Sequence, residues 1–453
     1  MSTELSRSLK PRHIFMISVG GIIGAGLFVG SSAAINAAGP AIVLSYLITG
    51  VLVLLVMRML AEMAVSLPQV RSFTEFARAG LGSWAGFVAG WLYWYFWVIV
   101  VPVEAIAGAN ILHHWLPLPP LVLGLGLMAI MTAVNLMSAR SYGEFEFWFS
   151  SIKVAAIIVF ILLSAAFAFG FTSPSGATFA NLTSHGGFMP QGGVAVLAGA
   201  VTVFFALTGA EITTVAAAES AEPARAAAKM STSVIIRILT FYIISILLIV
   251  SIVPWDTIKV GESPFAAALT TMGFGWASMA MSAIILTAVL SCLNSAFYVC
   301  SRVLFILAAH GDAPQVLVKL NARRVPVPSV WMSSLAGVLG VLAETQFPDT
   351  VFAFLVNASG ALIVFVYMMT AFAQIRLRRE RERTGAPAPG VQMWLFPWAS
   401  YAAIGGMVAI LIAMSRTGQA RDLYVSLITL AVALIAYMLV KAGRAAAVRS
   451  AAS

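Results

Sequence analysis

Gly20-Gly21-Ile22-Ile23-Gly24-Ala25-Gly26-Leu27-Phe28-Val29-Gly30 and Phe204-Phe205-Ala206-Leu207-Thr208-Gly209-Ala210-Glu211 are the stretches on which the fold turns. Each lies within an apolar run long enough to cross a bilayer, and each is a poor helix in its middle. A glycine inside a helix costs roughly 1 kcal/mol relative to alanine, and the first stretch holds five of them. Two readings of that stretch stand. The Gly20/Gly24 and Gly26/Gly30 spacings suit close packing of small-xxx-small type, and their density suits a break in the helix. The second stretch favours a break, because it falls in the sixth apolar run and ends on a carboxylate.

Composition sets the class around these stretches. Hydrophobic residues make up 61% of the 453-residue chain and charged residues 9%, against roughly 25% charged in a soluble domain. A bilayer core of about 30 Å takes about 20 apolar residues per helix, and the chain is mostly such runs. The expected fold is therefore an all-α integral membrane protein. Twelve spans are expected, near 14–38, 41–66, 83–112, 119–137, 143–170, 194–217, 231–254, 275–305, 328–345, 350–375, 394–415 and 421–441. The run from Ile14 is too long for the apolar part of a signal peptide, so it is read as a retained span.

The net charge of +9 is distributed as topology requires rather than as nucleic-acid binding would. With the N-terminus inside, Lys259, Arg416 and Arg421 fall outside and Lys153 falls within a span. The other lysines and arginines face the cytoplasm, a strong positive-inside bias. Both termini are then cytoplasmic. The Arg-rich stretch 376–393 is one of the longest loops. Cys292 and Cys300 are eight helical residues apart, about 12 Å, too far for a disulfide within one helix. His13, His113, His114, His185 and His310 lie in loops or at span ends, so no metal site and no cofactor are expected.

Breaks at spans 1 and 6 occupy equivalent places in two five-helix halves, as in transporters built from inverted repeats. A break frees N–H groups at the start of one half-helix and C=O groups at the end of another. The N–H end attracts a carboxylate, and the carbonyls suit an ammonium group. Gly24, Ala25 and Gly26 are the expected carboxylate site. Carbonyls around Ile22, Phe205 and Thr208 are the candidates for the amine, with Ile23 and Gly209 at the same two breaks. The expected partners are thus a small zwitterionic amino acid, the lipid bilayer and no nucleic acid.

The motifs GGIIGAGLFVGS and FFALTGAEITTVAAAES resemble those of amino-acid permeases in the amino acid–polyamine–organocation superfamily. The likeness continues through RMLAEMAVSLP, GWLYWYFWVIVVPVEA, SYGEFEFWFSSIKV, SCLNSAFYVCSR and MWLFPW, over about the whole chain. The stretches GFMPQG, TGAEITTVAAAES and SCLNSAFY are most similar to bacterial 4-aminobutyrate (GABA) permeases. Permeases for proline, aromatic and other amino acids share much of this pattern. The resemblance implies a LeuT-like 5+5 inverted repeat with discontinuous helices 1 and 6. Helices 1–5 would occupy 14–170, helices 6–10 residues 194–375, and helices 11–12 residues 394–441. It also implies proton-coupled import of GABA and similar zwitterions by alternating access across a bacterial inner membrane. The alternatives are a permease for proline, aromatic or a broad range of amino acids, and an exchanger. The resemblance matches Phe205 to the aromatic gate over substrate, Glu211 to the acidic residue at the span 6 break, and Lys153 to the span 5 lysine.

The intramembrane charges carry more than one reading. Lys153 lies about 15 Å into its span, where it either snorkels to the cytoplasm or contacts broken span 1 and couples transport to protons. Glu211 either caps freed amides or moves a proton. Glu104, read near the outer end of span 3, is either solvated or serves coupling or the substrate amine. Solvation or salt bridging suffices for Glu62, Glu144 and Glu146, read near cytoplasmic ends. Tyr93 or Trp97 is a pocket candidate among the span 3 aromatics. Ser291 and Asn294 in span 8 either bond neighbouring helices or line the path. A channel would need rings of charge or carbonyls. With no HExxH and no Ser/His or paired-Asp constellation, an enzyme is not expected.

Overall fold

The computed structural model describes residues 23–70, 72–137, 139–209, 211, 238–346 and 351–452. The described residues are helical and contain no strand. In chain order the main helices are α1 (Ala25–Phe28), α2 (Gly30–Ala38), α3 (Ile42–Ser66), α4 (Phe73–Leu81), α5 (Ser83–His113), α6 (Pro120–Asn135) and α7 (Ala139–Ala168). They continue with α8 (Gly192–Leu207), α9 (Ile244–Ile252), α10 (Gly275–Ala309), α11 (Val327–Glu344), α12 (Val351–Arg383), α13 (Trp398–Ser415) and α14 (Ala420–Ala452).

Among the described residues, eight helical stretches are long and apolar enough to cross a membrane, and Pro120–Asn135, Gly192–Leu207 and Phe241–Ile252 are shorter apolar helices. One of the eight, Gly30–Ser66, spans two expected crossings. It turns at Gly39, whose φ of +66° suits a residue without a side chain. The surface agrees with a lipid environment: only 17% of the most apolar window of Ala420–Arg444 is buried, and Ile428, Val432, Ile435 and Leu439 face outward. Water would not tolerate such a face, whereas a hydrocarbon solvent does.

Helix α5 is the central post, packed against α4, α6, α10, α11 and α12. Helix α8 contacts α1, α2, α3, α12 and α13, while α10 joins α5 to α7. The two interrupted stretches therefore meet in the interior, flanked by α5, α7, α10 and α12. Helix α12 runs on to Arg383, past the expected end at 375. Arginine and glutamate are good helix formers, and Arg378–Glu382 at 2.9 Å and Arg383–Glu380 at 2.6 Å bridge successive turns there. Near that end Glu62 of α3 is buried and paired. It accepts from Gln374 Nε2 at 2.9 Å, Arg381 at 2.9 Å and the Met393 amide at 2.8 Å. Of the two readings for Glu62, salt bridging is the one observed.

Candidate functional site

The first interruption is visible from Ile23 onward; Gly20, Gly21 and Ile22 lie outside the described residues. Gly24 is extended (φ −141°, ψ −154°), and helical geometry starts at Ala25. N–H groups in a first helical turn lack partners within the helix. The Ala25 amide donates to the carboxylate of Glu104, 3.0 Å from each oxygen. Glu104 is buried at 1% exposure, so it is not a solvated outer-end residue. The turn of helix at Ala25 and the thiol of Cys292 roof it over; Cys292 lies within hydrogen-bonding reach of its carboxylate.

Two glycines permit this approach. A Cβ on Gly24 would sit 2.6 Å from Glu104 Oε1 and 2.7 Å from Cys292 Sγ. One on Gly26 would lie 2.9 Å from the Ala206 Cα and 3.2 Å from the Phe205 ring. At Gly30 the nearest atom is 3.5 Å away, an ordinary contact. Close packing and interruption are thus both features of this stretch: Gly24 serves both, and Gly26, inside α1, serves the close approach to α8.

The second interruption begins where α8 ends at Leu207. Thr208 is extended (φ −67°, ψ 145°), and Gly209 takes φ +122°, which disfavours any side chain. Residues 210 and 212–237 lie outside the described residues. The freed groups are partnered in the structure. Thr208 Oγ1 donates to the Phe204 carbonyl at 2.6 Å, and Tyr242 Oη donates to the Ala206 carbonyl at 2.9 Å. The Gly209 amide donates to Glu211, 3.1 Å from each oxygen. Glu211 also accepts from Tyr93 Oη at 3.1 Å and Tyr367 Oη at 2.8 Å. A buried carboxylate is tolerable with donors of this kind, and Glu211 caps a freed amide here. Phe205 lies over Gly26, its ring centroid 6.1 Å from that of Phe96.

Lys153 of α7 is fully buried and does not snorkel. Its ammonium donates to the Ile23 carbonyl at 3.1 Å and to Ser291 Oγ at 2.8 Å. Glu146 lies 3.7 Å from it. The Glu146 carboxylate accepts from Ser291 at 2.7 Å and Ser150 at 2.8 Å. Solvation at a span end therefore does not describe Glu146. Helix α7 starts at Ala139, which sets Glu146 about 10 Å along it, under α10. Lysine, serine and carboxylate form a buried hydrogen-bonded cluster against the broken first span.

The structure brings Ile23, Gly24, Ala25, Gly26, Phe205, Thr208, Gly209, Glu104, Lys153, Glu211, Tyr93 and Ser291 into one interior region. Asn294 points elsewhere: its Oδ1 accepts from Asn135 Nδ2 of α6 at 2.8 Å. Glu146, Cys292, Tyr242 and Tyr367 were not singled out as site residues from the sequence. Glu146, Ser150 and Lys153 stand at i, i+4 and i+7, one face of a helix, which is a legible signal. Tyr367 is a phenol in an apolar run, and a buried hydroxyl needs a partner. Nothing local names that partner.

The amino acid permease family profile matches residues 13–447. The chain belongs to the amino acid permease family. The permease is 44% identical to the gamma-aminobutyric acid permease of Bacillus subtilis (strain 168), over 96% of its own length and 93% of the relative's. It is 43% identical to the gamma-aminobutyric acid permease of Escherichia coli (strain K12), over 91% and 89%. It is 38% identical to an aromatic amino acid transport protein of Corynebacterium glutamicum, over 90% of each. Among solved structures, a manganese transporter of Eremococcus coleocola shares the fold, with a TM-score of 0.60 and 12% identity over 95% of the permease and 92% of that chain. The permease is a multi-pass membrane protein.

Proposed function

We propose that the permease imports a small zwitterionic amino acid, with 4-aminobutyrate the first candidate, by proton-coupled alternating access. The observation that carries the reading is the carboxylate of Glu104 on the Ala25 amide. The start of the helix after the span 1 interruption offers a site for a carboxylate, and a side-chain carboxylate already sits there. A substrate carboxylate arriving at Ala25 and Gly26 displaces Glu104. The displaced side chain then takes up a proton, because two carboxylates at one amide repel. The substrate amine turns toward carbonyls at the second interruption, around Phe205 and Thr208, with Ile23 on the opposite side. Tyr93 and Ser291 bound the space between them, and Phe205 closes over it as the gate.

In this reading Lys153 is the second proton handle. Its ammonium braces the Ile23 carbonyl when charged and releases span 1 when neutral. Glu211 holds the second interruption in shape. Twelve spans in two inverted five-helix repeats, 14–170 and 194–375, with 394–441 outside them, supply the two halves that rock about the site. Both termini face the cytoplasm of a bacterial inner membrane. The two gamma-aminobutyric acid permeases at 43–44% identity support the choice of substrate. The aromatic transport relative at 38% makes an aromatic amino acid the second candidate.

Proteoliposome uptake of labelled 4-aminobutyrate, with and without an imposed pH gradient, tests the reading. Wild type should accumulate substrate only with the gradient. Lys153→Ala should keep substrate exchange and lose accumulation. Unchanged accumulation in that variant would sink the coupling role.

A further inference from the structure

The Arg-rich end of α12 lies outside the transport site. Helix α12 is 33 residues long, about 50 Å at helical rise, against a hydrocarbon core of about 30 Å. Its last turns therefore stand at the level of the lipid headgroups. A groove of about 680 Å³ opens there between α12, α14 and the α4–α5 junction. Its wall is apolar, and much of it is exposed: Trp84 is 40% exposed and Phe372 47%. Leu430 and Leu434 of α14 carry the wall inward; Leu430 is about 15 Å along its helix from Ala420. No residue of α1 or α8 lines it.

The mouth of the groove is charged, and unequally. Arg376, Arg379 and Arg383 line it with one carboxylate, Glu380. Glu380 is paired with Arg383 at 2.6 Å and also feels the charge of Arg376, so three guanidiniums against one carboxylate leave the rim with a net positive charge. Arg379 donates one N–H to Tyr401 Oη at 2.7 Å, so its guanidinium is held facing the groove's edge with other donors available. A guanidinium fork suits phosphate oxygens, and basic pockets between membrane helices recognise anionic headgroups. A second groove of about 620 Å³ runs between α5 and α14. It is at least as aromatic, but its only charged lining residue is Asp312. Apolar wall alone is thus common to both grooves, and the cationic rim belongs to the first.

We propose that the groove between α12 and α14 holds one anionic phospholipid. Its phosphate lies between Arg376 and Arg379, and an acyl chain lies along Trp84, Phe372 and Leu434. The site is separate from substrate binding and gives the Arg-rich segment a ligand.

The test uses the full chain in nanodiscs of phosphatidylcholine containing a minor fraction of phosphatidylglycerol, with retained lipid counted by native mass spectrometry. Wild type should retain phosphatidylglycerol well above its mole fraction. Arg376→Gln with Arg379→Gln should lower that enrichment roughly fivefold per charge, about 25-fold together. Lys319→Gln with Arg323→Gln removes the same charge from an exposed loop elsewhere and should leave the enrichment intact. Equal loss in both double variants would mean diffuse charge attraction and overturn the site. Displacement of the retained lipid by millimolar inorganic phosphate would identify a free-anion site and overturn the lipid assignment. Absence of enrichment in wild type would overturn both.

Discussion

Removing the charge of Lys153 is the perturbation that most sharply separates structure from transport. The ammonium and the Glu146 carboxylate are 3.7 Å apart, and both side chains are fully buried. At an effective dielectric of about 20, two charges at that distance attract by about 4 kcal/mol. Lys153→Met leaves Glu146 with only the hydroxyls of Ser150, Ser291 and Ser295. Glu146→Gln removes the carboxylate 3.7 Å from the Lys153 ammonium, which keeps the Ile23 carbonyl and Ser291 Oγ among its partners. Each single variant takes the 3.7 Å counter-charge from a buried ion and should lose about 3–5 kcal/mol. The double variant strands none and should lose only hydrogen bonds, about 1–3 kcal/mol. Equilibrium unfolding of the four proteins in mixed micelles measures the coupling, expected at several kcal/mol. Losses that add to within about 0.5 kcal/mol would refute an interacting pair. In proteoliposomes the stabilised double variant should still fail to accumulate substrate on a pH gradient. Full accumulation would show the pair to be scaffolding only.

Gly24→Ala should abolish uptake while the protein still folds. The backbone there is extended and accepts alanine, yet the new methyl would stand 2.6 Å from Glu104 Oε1 and 2.7 Å from Cys292 Sγ; the overpacking costs about 1–3 kcal/mol, and initial uptake rates read the effect. Tyr367→Phe deletes the 2.8 Å bond to Glu211 and should cost about 1–3 kcal/mol, with slower transport in the same assay. Glu62→Gln should lower stability by about 3–5 kcal/mol, seen by unfolding in mixed micelles, because Arg381 and Arg378 face a carboxylate that is 2% exposed.

Much of this was legible in the chain. The expected spans 41–66 and 83–112 are helices Ile42–Ser66 and Ser83–His113, because uninterrupted apolar runs leave helix as the only way to satisfy the backbone in lipid. The second interruption falls where the Thr208-Gly209 pair was read, since glycine at φ +122° ends a helix that alanine would extend. Partnerships across the fold were less legible. Glu104 and Glu146 were read as near span ends by counting residues along one helix. Their burial comes from α1 and α10 lying over them, which no local pattern records. Tyr367 meets Glu211 across 156 positions of sequence, and only the packed helices bring them together. The helical extension to Arg383 was missed because its arginines read as loop, although their spacing with Glu380 and Glu382 is that of helix pairs.

The central claim is that both ends of a zwitterion are held at the two interruptions, the carboxylate near Ala25 and the amine near Thr208. Competition against labelled 4-aminobutyrate uptake in proteoliposomes tests it directly, with butyrate and butylamine each retaining one end. Neither should compete at concentrations where 4-aminobutyrate or β-alanine abolishes the signal. Equal competition by butyrate would contradict the account, since the second interruption would then contribute nothing to recognition.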